Sequence, residues 1–127
     1  MKTKNKRPKH LNLLKIRLPI TGIASINHRI SGVILFLSIP FSLYFLQLSL
    51  TSPEGYNQTI EWIQSPWVKL ALIPLLWAFA HHLLAGFRFL LIDQNIGVSL
   101  AAARKTAWFV VIAAVVVTVI ITGVSLV

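Results

Sequence analysis

Three long runs of apolar residues dominate the chain. They cover 30–52 (ISGVILFLSIPFSLYFLQLSLTS), 70–87 (LALIPLLWAFAHHLLAGF) and 106–127 (TAWFVVIAAVVVTVIITGVSLV). Each approaches or exceeds the ~20 residues that carry an α-helix across a ~30 Å hydrocarbon core. Pro40 and Pro74 fall inside the first two runs. In a lipid-embedded bundle a proline kinks a helix more often than it ends one. The β-branched third run would make poor helix in water, but hydrocarbon forces backbone pairing within the segment. The first run is expected to be a permanent helix rather than a cleaved leader. Its basic flank and its apolar stretch are both too long, and no small-residue cleavage site closes it.

The pattern predicts an all-α membrane protein with three transmembrane helices at about 22–52, 67–92 and 104–127. Together with a basic arm over 1–21 they make a single membrane-anchor domain, 1–127, with no internal repeat and no low-complexity linker. Composition agrees, since 56% of residues are hydrophobic, only 12% are charged and the mean hydropathy is +0.76. A soluble domain of this size must cover itself with more polar surface. A net charge of +9 could suggest nucleic acid, but seven of the 12 Lys and Arg lie in the first 17 residues, MKTKNKRPKHLNLLKIR. A basic segment beside an apolar span reads as an anchor at anionic headgroups, and no fold that reads bases is in view. Arg88, Arg104 and Lys105 enrich the second connection, whereas the first has Lys69 alone beside Glu54 and Glu61. The positive-inside rule therefore puts the N-terminus in the cytoplasm and the C-terminus outside. Tyr56, Trp62 and Trp67 are expected at the outer interface and Trp108 at the inner one. The chain has no cysteine, which excludes disulfides, thiolate catalysis and cysteine-ligated clusters within it.

Polar residues inside the spans are the candidates for chemistry. In ASINHRISGVILF, Ser25, His28 and Arg29 stand at i, i+3 and i+4, with Gly32 one turn on, so they share a helix face. An arginine at that depth costs a few kcal/mol unless it snorkels or finds a partner. Arg29 either reaches headgroup phosphates or, with Ser25, donates into a polar pocket. In the second span, His81 and His82 lie near the middle, and Gly86 is four residues after His82. A neutral imidazole in a helical bundle is a usual haem-iron ligand, and the alternative is a histidine satisfied by its neighbours. Arg29 lies ten residues from Pro19 and His82 eleven from Asp93. At 1.5 Å per residue both sit about 15 Å inward from those markers. Antiparallel helices thus bring His28, Arg29 and His82 to similar depth.

Two motifs in this order resemble a known family. RPKHLNLLKIRLPITGIASINHRIS carries Arg7-Pro8, Ser25, His28-Arg29 and Ser31, and HLLAGFRFLLID carries His82, Gly86, Arg88 and Asp93. The chain resembles, over nearly its whole length, the cytochrome b membrane-anchor (large, C) subunit of succinate dehydrogenase, respiratory complex II. SPEGY at 52–56 is also similar to bacterial members. The resemblance implies a bacterial inner-membrane electron-transport subunit whose succinate chemistry lies in a partner flavoprotein subunit. Electrons would pass through an iron–sulfur subunit to ubiquinone, with a second hydrophobic anchor subunit sharing haem b. It implies that His82 is the axial ligand to haem iron, that His28 and Arg29 lie near the haem propionates, and that Ser25 and Arg29 contact ubiquinone. Arg88 and Asp93 are expected to be interface or partner-docking residues.

Lys9 stands where the family signature is usually apolar, Phe89 replaces a common histidine and Ile92 replaces an aromatic or methionine. None touches a proposed ligand. Phe89 removes one candidate imidazole and leaves His81 against His82, and the spacing to Gly86 favours His82. Two other readings are a quinol:fumarate reductase anchor and a structural or assembly membrane protein without a redox group. The second leaves the paired motifs unexplained.

Overall fold

The computed structural model describes residues 17–126, so most of the basic arm, including Arg7, Pro8 and Lys9, lies outside the described residues. The described chain is entirely helical: α1 (Ile20–Thr51), α2 (Pro53–Gln64), α3 (Pro66–Asp93) and α4 (Leu100–Leu126). Three of these, α1, α3 and α4, are long and apolar enough to cross a membrane. Helices α1 and α3 run uninterrupted through Pro40 and Pro74.

The three expected spans are all present, and a fourth, shorter helix stands beside them. Helix α2 occupies the connection between the first two spans, and its start is written locally. The Ser52 hydroxyl accepts from the Gly55 N–H at 3.1 Å, Pro53 takes the first turn, and Glu54 follows at the positive end of the helix dipole. The same Ser-Pro device starts α3, where Ser65 accepts from the Val68 N–H at 3.4 Å and Pro66 follows. Glu54, outside the spans and fully exposed, has its carboxyl held below the ordinary carboxylate range. Its own backbone N–H is the larger cause and the Ser52 hydroxyl the smaller. Helix α2 lies back along α1 because Gly55 has no side chain. A Cβ there would collide with the Leu48 carbonyl.

Helix α3 ends in a Schellman turn. The Ile96 N–H donates to the Leu91 carbonyl and the Asn95 N–H to that of Ile92, both at 2.9 Å. Asn95 supplies the left-handed residue at φ 59°, a region asparagine tolerates better than most side chains. The chain then reverses into α4, whose first turn is capped by Ser99.

The interior is made of small residues. Ala24, Ala78, Ala85, Ala107 and Ala114 are essentially inaccessible, whereas Phe36, Trp67 and Phe109 are 70%, 81% and 66% exposed. That inversion suits lipid, where close backbone approach rather than apolar burial holds helices together. Helix α3 packs against both α1 and α4, and α1 also touches α4. Tyr56, Trp62 and Trp67 are exposed at the α2 end, and Trp108 is exposed toward the start of α4.

Candidate functional site

The α1–α3 contact brings the polar residues of the two spans together. The His28 and His82 rings stack with centroids 4.2 Å apart and planes 12° from parallel. Two histidines 54 positions apart in sequence therefore do share one depth, as residue counting requires. The approach depends on glycine on α1, whereas Gly86 on α3 leaves room for an ordinary contact. A Cβ at Gly32 would stand 3.0 Å from His82 Cε1, and one at Gly86 would stand 3.9 Å from His28 Nε2. Phe89 backs the other side of the pair, its ring centroid 5.1 Å from that of His28.

The hydrogen bonds set the His82 tautomer. Its Nδ1 lies 3.1 Å from the His28 carbonyl, which only accepts, so Nδ1 carries the proton. Ser31 Oγ is 3.2 Å from the same nitrogen and donates its own hydrogen to the His28 carbonyl at 2.8 Å. Ser31 is thus an acceptor toward His82. With Nδ1 protonated, Nε2 keeps its lone pair. An imidazole held this way, by second-shell bonds at one nitrogen, is oriented to give the other nitrogen to a metal. Ser31 is fully buried. It stands in the first motif, but nothing in helical spacing shows that its hydroxyl reaches across to α3.

His81, the competing imidazole, is fully buried. Its Nε2–H donates weakly to the Ala24 carbonyl at 3.4 Å, and the ring stacks on Trp77 with centroids 5.5 Å apart. It belongs to the helix–helix interior, whereas its neighbour His82 is only half-buried. Ser25 is half-buried and Arg29 is exposed on the flank of the α1–α3 contact. The predicted shared face is therefore divided: His28 turns into the α3 contact, while Arg29 remains on the surface of this chain.

Arg88 does not fit the expectation of an interface or docking residue. It is 7% exposed, and its Nε–H and Nη2–H donate to Thr106 Oγ1 at 3.0 Å and the Ala103 carbonyl at 3.2 Å, both on α4. Its guanidinium also lies 5.4 Å from the Phe89 ring centroid. Arg88 is an internal clamp between α3 and α4, and through Phe89 it backs the histidine pair. Asp93, at the end of α3, is exposed.

This arrangement leaves His82 Nε2 on a half-buried ring, while the partnerless nitrogen of its neighbour, His81 Nδ1, is sealed inside the helix contact. Among the described residues, no group of three His, Cys, Asp or Glu is placed to hold a bare metal ion. The site can supply one axial ligand to a metal that brings its other ligands with it.

Comparison with known proteins places this architecture. The family model for the succinate dehydrogenase/fumarate reductase transmembrane subunit matches residues 3–122. The chain belongs to that family. The succinate dehydrogenase cytochrome b556 subunit of Coxiella burnetii is 38% identical over 106 residues, which cover 83% of this chain and 85% of the relative. The same-named subunit of Rickettsia felis is 31% identical over 117 residues, 92% of this chain and 91% of the relative. That of Paracoccus denitrificans is 32% identical over 102 residues, 80% and 78% of the two chains. The chain is thus a multi-pass membrane subunit of the succinate dehydrogenase/fumarate reductase family, akin to its cytochrome b anchors.

Proposed function

We propose that this chain is the haem-binding membrane anchor of a bacterial inner-membrane succinate:ubiquinone oxidoreductase, working with flavoprotein, iron–sulfur and second anchor subunits. The observation that carries the proposal is the placement of His82 Nδ1, 3.1 Å from the His28 carbonyl and 3.2 Å from Ser31 Oγ, which leaves Nε2 to ligate. The residues suit a haem. The site offers a single oriented imidazole, Gly32 lets α1 approach beside it, and the porphyrin would bring four nitrogens of its own. The cytochrome b556 name of the relatives supports the same reading. When bound, haem b would supply a one-electron redox centre.

The chain's own groups do the rest. His82 would hold the haem iron, and the second anchor subunit would share the haem. Arg29 and His28, one residue apart, provide positive charge and N–H donors for the propionates, and that pairing offsets the cost of a cation at membrane depth. Ser25 and Arg29 also donate to a ubiquinone carbonyl. Ubiquinone takes two electrons and two protons to become ubiquinol, and donors aimed at the carbonyl oxygen stabilise the negative charge developing there. The exposure of Arg29 suits a site completed by another subunit. The distribution of Lys and Arg orients the start of α1 and the α3–α4 turn toward the cytoplasm, where soluble partners dock. The names of the relatives support succinate oxidation as the direction of flow.

The test is made on the purified complex. In His82→Ala, the b-type difference spectrum loses its low-spin bands. An unchanged axial ligation would remove the assignment. Arg29→Ala is expected to lose quinone reduction by about tenfold or more while succinate oxidation with an artificial acceptor persists, the behaviour of a lost charge-stabilising donor. Normal quinone kinetics in that variant would remove the site.

A further inference from the structure

Ser31 is fully buried on α1, where its hydroxyl faces α3. Ser31, Ser38 and Ser49 each donate a hydroxyl hydrogen to the α1 carbonyl three residues back, at 2.8, 2.7 and 2.8 Å. Inside a span that back-bond gives the hydrogen a partner where no water reaches it. It fixes the hydrogen and leaves the oxygen's lone pairs free. Among the described residues, Ser31 alone of the three then meets a side chain of another helix, His82, whose Nδ1 lies 3.2 Å away. The backbone carbonyl beside it is crowded. A carbonyl oxygen has two lone pairs. That of His28 takes the Ser31 hydroxyl, and in a regular helix it also serves the Gly32 N–H four residues on. His82 Nδ1, at 3.1 Å, is a third claimant. The serine oxygen therefore takes a share of the Nδ1 hydrogen that the carbonyl has no lone pair left to hold.

We propose that Ser31 is a positioning residue for the haem, its oxygen accepting from His82 Nδ1–H so that Nε2 becomes a stronger ligand and the reduction potential is held down. The inference rests on the assignment of His82 as the axial ligand. An acceptor at Nδ1 draws that hydrogen outward and raises the basicity of the other nitrogen. A more basic nitrogen favours ferric over ferrous iron, because the more positive ion gains more from it. Loss of the acceptor therefore raises the potential. The His28 carbonyl stays in place and recovers part of the loss, so the effect falls below the about 10–100-fold of second-shell substitutions in general.

The experiment is a redox titration of the b-type bands in the purified complex, which reads the potential independently of turnover. Ser31→Ala removes the oxygen and leaves the residue type that already packs this contact at Ala24 and Ala78. Its bands should stay low-spin. The ferric form should lose about threefold against the ferrous, an upward shift of ~28 mV at 59 mV per tenfold for one electron. Ser38→Ala is the control. It loses the same back-bond, but its oxygen meets no histidine among the described residues, and it should titrate as wild type. Ser31→Thr, which keeps an oxygen at this position, should return toward the wild-type potential. An unchanged or lowered potential in Ser31→Ala, or an equal rise in Ser38→Ala, would overturn the proposal. His82→Ala separates this inference from the one beneath it. If that variant keeps its low-spin bands, the ligand assignment fails; if it loses them while Ser31→Ala titrates as wild type, only the role of Ser31 fails.

Discussion

Adding one methyl group at Gly32 should disturb the site from a position that bears no chemistry. A Cβ there would lie 3.0 Å from His82 Cε1 and 3.4 Å from Nδ1. Carbon atoms settle at about 3.5–4.0 Å, so the imidazole must withdraw by roughly half an ångström or more. It has little room to do so. Its Nδ1 is held at 3.1 Å by the His28 carbonyl and at 3.2 Å by Ser31, and its face rests on the His28 ring. Moving the ring that far stretches both bonds past useful length, at about 1 kcal/mol each. Overpacking of this kind costs about 1–3 kcal/mol. Gly22→Ala is the internal control, because its Cβ would meet nothing closer than Pro19 Cδ at 3.7 Å. Both substitutions gain the same ~1 kcal/mol of helix propensity. The assay is thermal unfolding of the purified complex together with its reduced-minus-oxidised spectrum. Gly22→Ala should melt at or above the wild-type temperature with normal bands. Gly32→Ala should melt several degrees lower, with weakened or shifted haem bands. Indistinguishable behaviour of the two variants would refute the packing described around His82.

Two further substitutions probe the frame around the site. Arg88→Gln should destabilise the α3–α4 contact by about 2 kcal/mol, the range for hydrogen bonds to a charged group, with Arg88→Lys rescuing only part because a lysine cannot fork to two acceptors. Limited proteolysis in the 94–99 turn of the assembled complex reports the loss, and wild-type resistance would contradict the clamp. Glu54 has a depressed pKa in the folded state, so its contribution to α2 is complete above the unfolded carboxylate value and drains away as pH falls through the folded one. Glu54→Gln should flatten that acid-side fall in stability below about pH 4, while identical pH profiles would mean that the carboxylate makes no such bond.

Much of the architecture was legible in the sequence because hydrocarbon leaves the chain few choices. A run of apolar residues long enough to cross must pair its backbone internally, so the three spans could be read without any knowledge of packing. The common depth of His28 and His82 followed from the rise per residue alone. Helix α2 was written just as plainly, in Ser52, Pro53 and Glu54, but its polar composition made it look like a connection. Arg88 was misread for a related reason. A cation near a span end suggests an interface, and only the position of α4 shows that it meets Thr106 and Ala103 instead.

What the sequence determined by itself is local: which segments are helices, where serines and prolines start them, and at what depth each polar group lies. What the tertiary structure decided is rotation. His81 and His82 are consecutive, about 100° apart around α3, and identical in chemistry. The close fit of Ala24, Gly32 and Ala78 between α1 and α3 turns one imidazole into the interior and leaves the other half-exposed, its Nδ1 on Ser31 and the His28 carbonyl. Helical periodicity fixes the angle between neighbours but not its zero. That zero is set by which small residues let two backbones approach most closely, a property of the helix pair and of neither helix alone.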